Sequence, residues 1–237
     1  MFSVDVDRLK GAPNDPPGEL SLAATVAAAL RKDIVEGVLE PGSRIKQDAV
    51  AQRHEVSRLP VREALRQLQS EGLVKLERDV GARVAPLELS NLLEISLVRE
   101  AIEPPLIAEA TRRIDESQLD VARRLNARAE EFAEAGEDRN YVNLDPEFHD
   151  AIFVAAAMPH VHEIVKGHRN AASRYRHAYS HLPRHLDASV VEHRMILEAV
   201  ARRAPDDAAE LHRIHIRRTR VTLSEHPEFF VEENGDG

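Results

Sequence analysis

The chain has 237 residues, 43% of them hydrophobic, with no cysteine and a formal net charge of −9 at pH 7. That length accommodates one or two domains with a sizeable core, and the lack of cysteine excludes a disulfide framework and thiolate metal ligation, which suits a reducing cytoplasm. No apolar run approaches the ~20 residues that span a bilayer, and Met1-Phe2-Ser3-Val4-Asp5 lacks a basic leader, so a soluble cytoplasmic protein with no membrane partner is expected.

Residues 1–19 hold Gly11, Pro13, Pro16, Pro17 and Gly18 without periodicity and read as a disordered arm. After Ser21, Leu22, Val26, Leu30 and Ile34 recur at helical spacing and predict a bracing helix that ends near Gly37. From Arg44 to Val74 two amphipathic runs meet at a short break, as in a helix-turn-helix. Ala49, Val50 and Arg53 belong to the first helix, and His54-Glu55-Val56 makes the turn. Ser57 stands at the N-cap of the second, and Pro60 lies in its first turn, where a missing N–H costs little. Val61, Leu65 and Leu68 then face the core, while Arg58, Arg62 and Arg66 recur every four residues on another face. An arginine stripe at a helix N-terminus can read guanine in the major groove, although on its own it also suits a solvated face. Gly72 closes the helix. Residues 73–76 and 82–85 then read as a two-stranded ribbon whose tip, Arg78-Asp79-Val80-Gly81, is a wing that lies on phosphate or in the minor groove.

Charge is divided accordingly. Of 32 basic and 41 acidic side chains, residues 1–87 hold 13 of each, so the acid excess belongs to the remainder; between Arg44 and Arg83 nine basic side chains face six acidic ones. That local surplus can approach phosphate.

Pro41-Gly42-Ser43-Arg44-Ile45, the run from Val56 to Arg66 and Glu71-Gly72-Leu73-Val74 resemble the N-terminal domain of GntR-family transcription regulators. The resemblance covers roughly residues 20–86 and departs at Leu59, where the family commonly carries a threonine. It implies binding to a double-stranded operator. Arg58, Arg62 and Arg66 would touch bases or phosphates, and Arg44, Ser57 and Gly81 would set register.

Pro86 and Ser90 mark a boundary, with Ser90 a candidate cap, and strand signals then almost vanish. Helices are expected at 92–113, kinked at Pro104-Pro105, and at about 116–135, 146–157, 160–180, 187–203 and 206–224. Gly136, Met158-Pro159, Leu182-Pro183 and Ala204-Pro205 punctuate them. The fold class is mainly α: a winged helix-turn-helix at 20–87, an antiparallel helical bundle at 88–227 and a tail at 228–237. No P-loop, dinucleotide fingerprint or nucleophile signature is present.

Eleven of the twelve histidines lie beyond residue 140. Asp145 and His149 are four apart, the spacing of paired ligands on one helical face, and His193 and His215 lie in later helices among apolar neighbours. One carboxylate with three imidazoles would hold a divalent first-row metal. Residue by residue, Asp145-Pro146 also reads as an ordinary N-cap pair, and each histidine as a core or surface residue.

The segments Val98-Arg99-Glu100-Ala101-Ile102-Glu103, Asp145 to His149 and Glu192 to Ile196, with a histidine in the last helix, resemble the FCD effector domain of the FadR-like branch of the same family. This second resemblance covers roughly residues 90–225. It implies that Asp145, His149, His193 and His215 bind zinc, or nickel or manganese in its place, with His212 the alternative last ligand. It also implies that Arg99 faces the effector cavity, where a small carboxylate would meet it. An Arg99–Glu103 surface pair is the competing reading, and Arg174 and Arg176 are further candidates. Because ligation needs neutral imidazole, metal affinity is expected to fall as pH drops through about 6.5.

The expected protein is a dimeric, ligand-responsive repressor without enzymatic activity. A regulator whose signal is the ion itself, a purely structural metal and a metal-dependent hydrolase are the alternatives.

Overall fold

The computed structural model describes residues 17–77, 80–179 and 187–231. Residues 1–16 of the expected arm, the wing-tip pair Arg78-Asp79, the Leu182-Pro183 break and the end of the tail lie outside the described residues.

In the first unit α1 (Pro17–Val35) lies on α3 (Arg58–Ser70), and α2 (Gln47–Arg53) completes the helix-turn-helix. Helix α1 starts earlier than expected, so Ser21 is inside it and Pro17 to Glu19 are helical rather than part of the arm. Strands β2 (Val74–Glu77) and β3 (Gly81–Val84) form the wing, with Val74 opposite Val84 and Glu77 opposite Gly81. A two-residue strand missed in the sequence, β1 (Arg44–Ile45), adds to the far edge of β3, giving the order β1-β3-β2. Ile45, Val61, Ala64, Leu65, Leu68, Val74, Ala82 and Val84 share one core with Val26, Leu30 and Ile34 of α1.

Two caps illustrate how local rules fared. Gly72 takes a left-handed conformation with φ 71°. Its N–H donates to Gln69 O, while that of Leu73 donates to Leu68 O, the paired bonds that finish a helix in a glycine-terminated turn. Ser57 occupies the N-cap position with extended backbone, but its hydroxyl accepts no capping bond.

The second unit is all helical: α4 (Leu89–Arg113), α5 (Glu116–Glu134), α6 (Asp138–Phe153), a 3-10 turn over Val154–Ala156, α7 (Pro159–Tyr179), α8 (Asp187–Ala201) and α9 (Pro205–Ser224). Helix α4 packs on both α7 and α9, and Leu106, Ile107, Phe148, Ile152 and Ile196 lie in the common core. Glu88, not Ser90, precedes α4 as its cap residue. Pro104 and Pro105 sit inside α4 without ending it. Pro104 cannot donate to Glu100 O, and Arg213 of α9 donates to that carbonyl instead, at 3.2 Å. Helix α6 begins at Asp138, so Asp145-Pro146 lies in its interior and is not a helix start.

The junction between the units is clasped by α7. The Arg174 guanidinium donates to Ala85 O at 2.8 Å, and the Tyr175 hydroxyl donates to Glu88 O at 3.1 Å. Phe229 and Phe230, at the start of the expected tail, pack against Tyr179, and Val231 N–H donates to Leu87 O. No helix among the described residues is long and apolar enough to cross a membrane.

Candidate functional site

The reading head presents α3 and the wing side by side. Arg62 and Arg66 are exposed and make no ion pair among the described residues. Arg58 differs from them: its guanidinium holds Asp48 of α2 at 2.5 Å, both side chains being exposed. Arg44 is exposed on β1, and its guanidinium lies 4.0 Å from where a Cβ on Gly81 would stand. With φ 103°, Gly81 also occupies backbone space that side-chain-bearing residues rarely enter. Arg62, Arg66 and Gly81 line one shallow cleft between α3 and the wing.

In the bundle, Asp145, His149, His193 and His215 converge. One ligand atom from each lies within 4.8 Å of every other, and all four residues are buried. Helix α6 supplies the first two on one face, because four residues return a helix to the same side; α8 supplies His193 and α9 His215. His149 Nε2 lies 3.1 Å from His193 Nε2, and Asp145 Oδ1 lies 3.3 Å from His193 Nε2. Asp145 Oδ1 has no hydrogen-bond partner although it is buried. A carboxylate oxygen left bare beside two imidazole nitrogens is a costly arrangement that a cation would satisfy.

The outer groups aim the inner ones. His215 Nδ1–H donates to Glu192 Oε2 at 2.8 Å, which leaves its Nε2 lone pair free, and Arg218 holds the same carboxylate. His193 Nδ1 meets the Tyr141 hydroxyl at 3.0 Å. Such partners select the tautomer and ring orientation of metal-binding histidines. Burial, with Arg169 nearby, pushes His149 well below the ordinary histidine range, and burial brings His215 down to about 3. His149 and His215 therefore stay neutral in the folded site below pH 6.5. Burial would raise Asp145, but the Arg176 guanidinium, with His193, His149 and Arg169 close by, outweighs it and holds the carboxyl well below its usual range.

Arg99 is buried rather than at the surface. It binds Glu103 through Nε at 2.5 Å, and the same carboxylate accepts from Arg169 at 3.1 Å and from His212 Nε2 at 2.7 Å. Arg169 also donates to Asp145 Oδ2 at 3.0 Å, and Arg176 bonds that oxygen too. Glu103, Arg169 and Arg176 thus join α4 and α7 to the ligand cluster. His212 is committed to Glu103, which leaves the last position of the cluster to His215. Arg174 serves the inter-domain segment. Arg176 and Arg218 line a cavity of about 30 Å³, together with Tyr141, Ser189, Thr219 and Thr222. That is space for about two waters. Sequence reasoning missed Tyr141, Arg169 and Arg218; it had Glu103 as a surface partner of Arg99, where the pair is buried, and Glu192 only as part of a family segment. Arg169, between His168 and Asn170, and Arg218, between Arg217 and Thr219, carry no signal of burial along the chain.

A family profile described as "FCD domain" matches residues 94–218, and one described as "Bacterial regulatory proteins, gntR family" matches residues 22–84. The HTH-type transcriptional regulator YdhC of Bacillus subtilis is 26% identical over 183 residues, 76% of this chain and 81% of that protein. The gluconate operon transcriptional repressor of the same organism is 43% identical over 91 residues, which is 37% of either chain. Of some other relatives, too, the chain spans only about two fifths of the length. The solved structure of Escherichia coli McbR/YncC superposes with a TM-score of 0.79 at 21% identity, over 86% of this chain and 98% of that one, a likeness of fold. The curated relatives are transcriptional regulators, not enzymes. The chain belongs to the GntR family of DNA-binding transcription regulators, in the FadR-like branch that joins a winged helix-turn-helix to an FCD domain.

Proposed function

We propose that this regulator is a dimeric repressor that responds to a small organic acid, with a divalent metal ion, zinc by its donor set, held by Asp145, His149, His193 and His215. The observation that carries this reading is the convergence of those four buried donors within 4.8 Å. One carboxylate and three imidazoles suit a borderline first-row cation better than calcium or magnesium, which favour oxygen. When bound, the ion would supply a Lewis-acid anchor for a carboxylate oxygen.

The chain's own residues do the rest. Arg176 and Arg218 would offer guanidinium groups to an acid that widens, on entering, the small cavity they line. Arg99 stays a candidate contact only if Glu103 releases it, so its role in effector binding is second to theirs. An acid that draws Arg176 from Asp145 pulls on α7, and α7 grips Ala85 and Glu88 of the inter-domain segment. Effector binding would thereby bias the separation of two reading heads, which is a differential affinity for two arrangements. Arg62 and Arg66 would contact bases or phosphates, Arg58 after exchanging Asp48 for DNA, and Arg44, Ser57 and Gly81 would hold register. The repressor sign is supported by the likeness to the gluconate operon transcriptional repressor of Bacillus subtilis.

The test is calorimetric titration of zinc, then of a panel of small carboxylates, into purified, chelated and His193→Ala protein, with operator binding measured alongside. Expected are tight metal binding only where His193 is present, and acid binding that needs the metal. Acid affinity equal in all three would leave the metal a structural role. Operator affinity that changes with metal alone would make the ion the signal.

A further inference from the structure

We propose that Leu59 reads thymine: its side chain meets the C5-methyl group of a thymine in the major groove and gives the reading head a preference for that base at one position. The inference rests on the base-reading role given above to Arg62 and Arg66 of the same helix. Leu59 lies in the first turn of α3, the end of a recognition helix that meets base edges. At about 100° per residue it stands roughly 20° around the helix from Arg66 and about 60° from Arg62. Val61, Ala64, Leu65 and Leu68 hold the opposite side and are buried. Leu59 is 42% exposed and takes no part in the apolar cluster that joins α1, α3 and the wing. Its chain neighbour Arg58 is turned to Asp48 of α2, so an apolar tip leads the outer face at this turn.

The chemistry of the groove selects the partner. Every base pair shows donors and acceptors on its major-groove edge, and only thymine adds an apolar group there. Pressed against guanine O6 and N7 or the cytosine amine, a leucine would strip water from polar atoms and offer no hydrogen bond in return. Against the methyl group it buries apolar surface on both sides. A protein partner fits the position poorly, because docking needs a contiguous apolar patch, and Leu59 is set among Arg58, Arg62, Glu63 and Arg66. Spacing along the helix gives the register. Leu59 and Arg62 are three residues apart, about 4.5 Å of rise, against about 3.4 Å per base pair along a strand. The thymine therefore belongs within about two base pairs of the base that Arg62 reads.

The experiment begins with selection of duplexes from a random pool by the full chain as wild type, Leu59→Ala, Leu59→Gln and Arg62→Ala. Alanine and glutamine are good helix formers and the position is exposed, so both Leu59 variants are expected to fold. Affinity is then measured by fluorescence anisotropy on the wild-type site with deoxyuridine in place of each thymine in turn. Uracil differs from thymine only by the missing methyl group. Wild-type protein is expected to lose about four-fold in affinity at one thymine of each half-site, the weight of one buried carbon. At that position the Leu59 variants should have lost their thymine preference and should bind thymine and uracil alike. A 5-methylcytosine·guanine pair placed there should outbind cytosine·guanine with wild-type protein only. No loss at any thymine, or an equal loss in wild type and both Leu59 variants, would overturn the inference. Relaxed selection by Arg62→Ala in that case leaves the base-reading helix standing, whereas selected sites unchanged in every variant would overturn both.

Discussion

Glu103→Gln probes the buried network without creating a cavity. Three guanidinium groups, those of Arg99, Arg169 and Arg176, share two carboxylates in the bundle core, Glu103 and Asp145. Burial would raise Glu103, yet Arg99, Arg169 and His212 hold it well below the usual carboxylate range, so it is charged when folded. Glutamine preserves volume and one acceptor but leaves three cations around a single carboxylate. Breaking a buried pair by removing one partner costs ~3–5 kcal/mol, a large part of the 5–15 kcal/mol that keeps a typical domain folded. Urea unfolding followed by a probe in the bundle should show a midpoint that falls at unchanged slope. A loss under about 1 kcal/mol would refute the reasoning, since the guanidinium groups would then have found water or other acceptors at little cost.

In the reading head, Arg62→Ala is expected to weaken specific operator binding by about 1–3 kcal/mol and relax one base preference per half-site. Arg44→Ala should weaken all sequences alike and flatten the salt slope by about one unit; equal losses on specific and random duplexes would contradict that division. Tyr141→Phe removes the partner of His193 Nδ1 while keeping the ring, so zinc affinity should drop ~10–100-fold by competition titration. Unchanged affinity would mean the hydroxyl does not orient His193. Burial brings His177 down to about 4, helped by Arg176, and His215 to about 3. Both lie below the unfolded value near 6.5, so between pH 6.5 and 4.5 the unfolded chain takes up protons that the folded one refuses. Stability of metal-stripped protein is full above pH 6.5 and should fall by roughly 4–5 kcal/mol on reaching pH 4.5. Thermal melts that stay flat across this window would show that both rings protonate freely in the folded state.

The sequence by itself determined what depends on neighbours along the chain. The glycine-terminated end of α3 at Gly72, its Val61, Leu65 and Leu68 face, and the shared face of Asp145 and His149 all follow from backbone sterics and a 3.6-residue repeat. Pairings between distant segments followed no such rule. β1 is only two residues long and exists because Arg44 and Ile45 find the open edge of β3 across 37 residues or more of chain. Asp48 reaches Arg58 across the helix-turn-helix, so one arginine of the stripe is engaged while its neighbours are not. His212 and His215 are both buried and three positions apart, equally plausible on a helical wheel. The rotation of α9 against α4 and α8 sends the first to Glu103 and the second to the ligand cluster. Periodicity defines which face of a helix turns inward; which buried partner a polar side chain meets there depends on the rotation and shift of whole helices, and these are settled only when the common core packs.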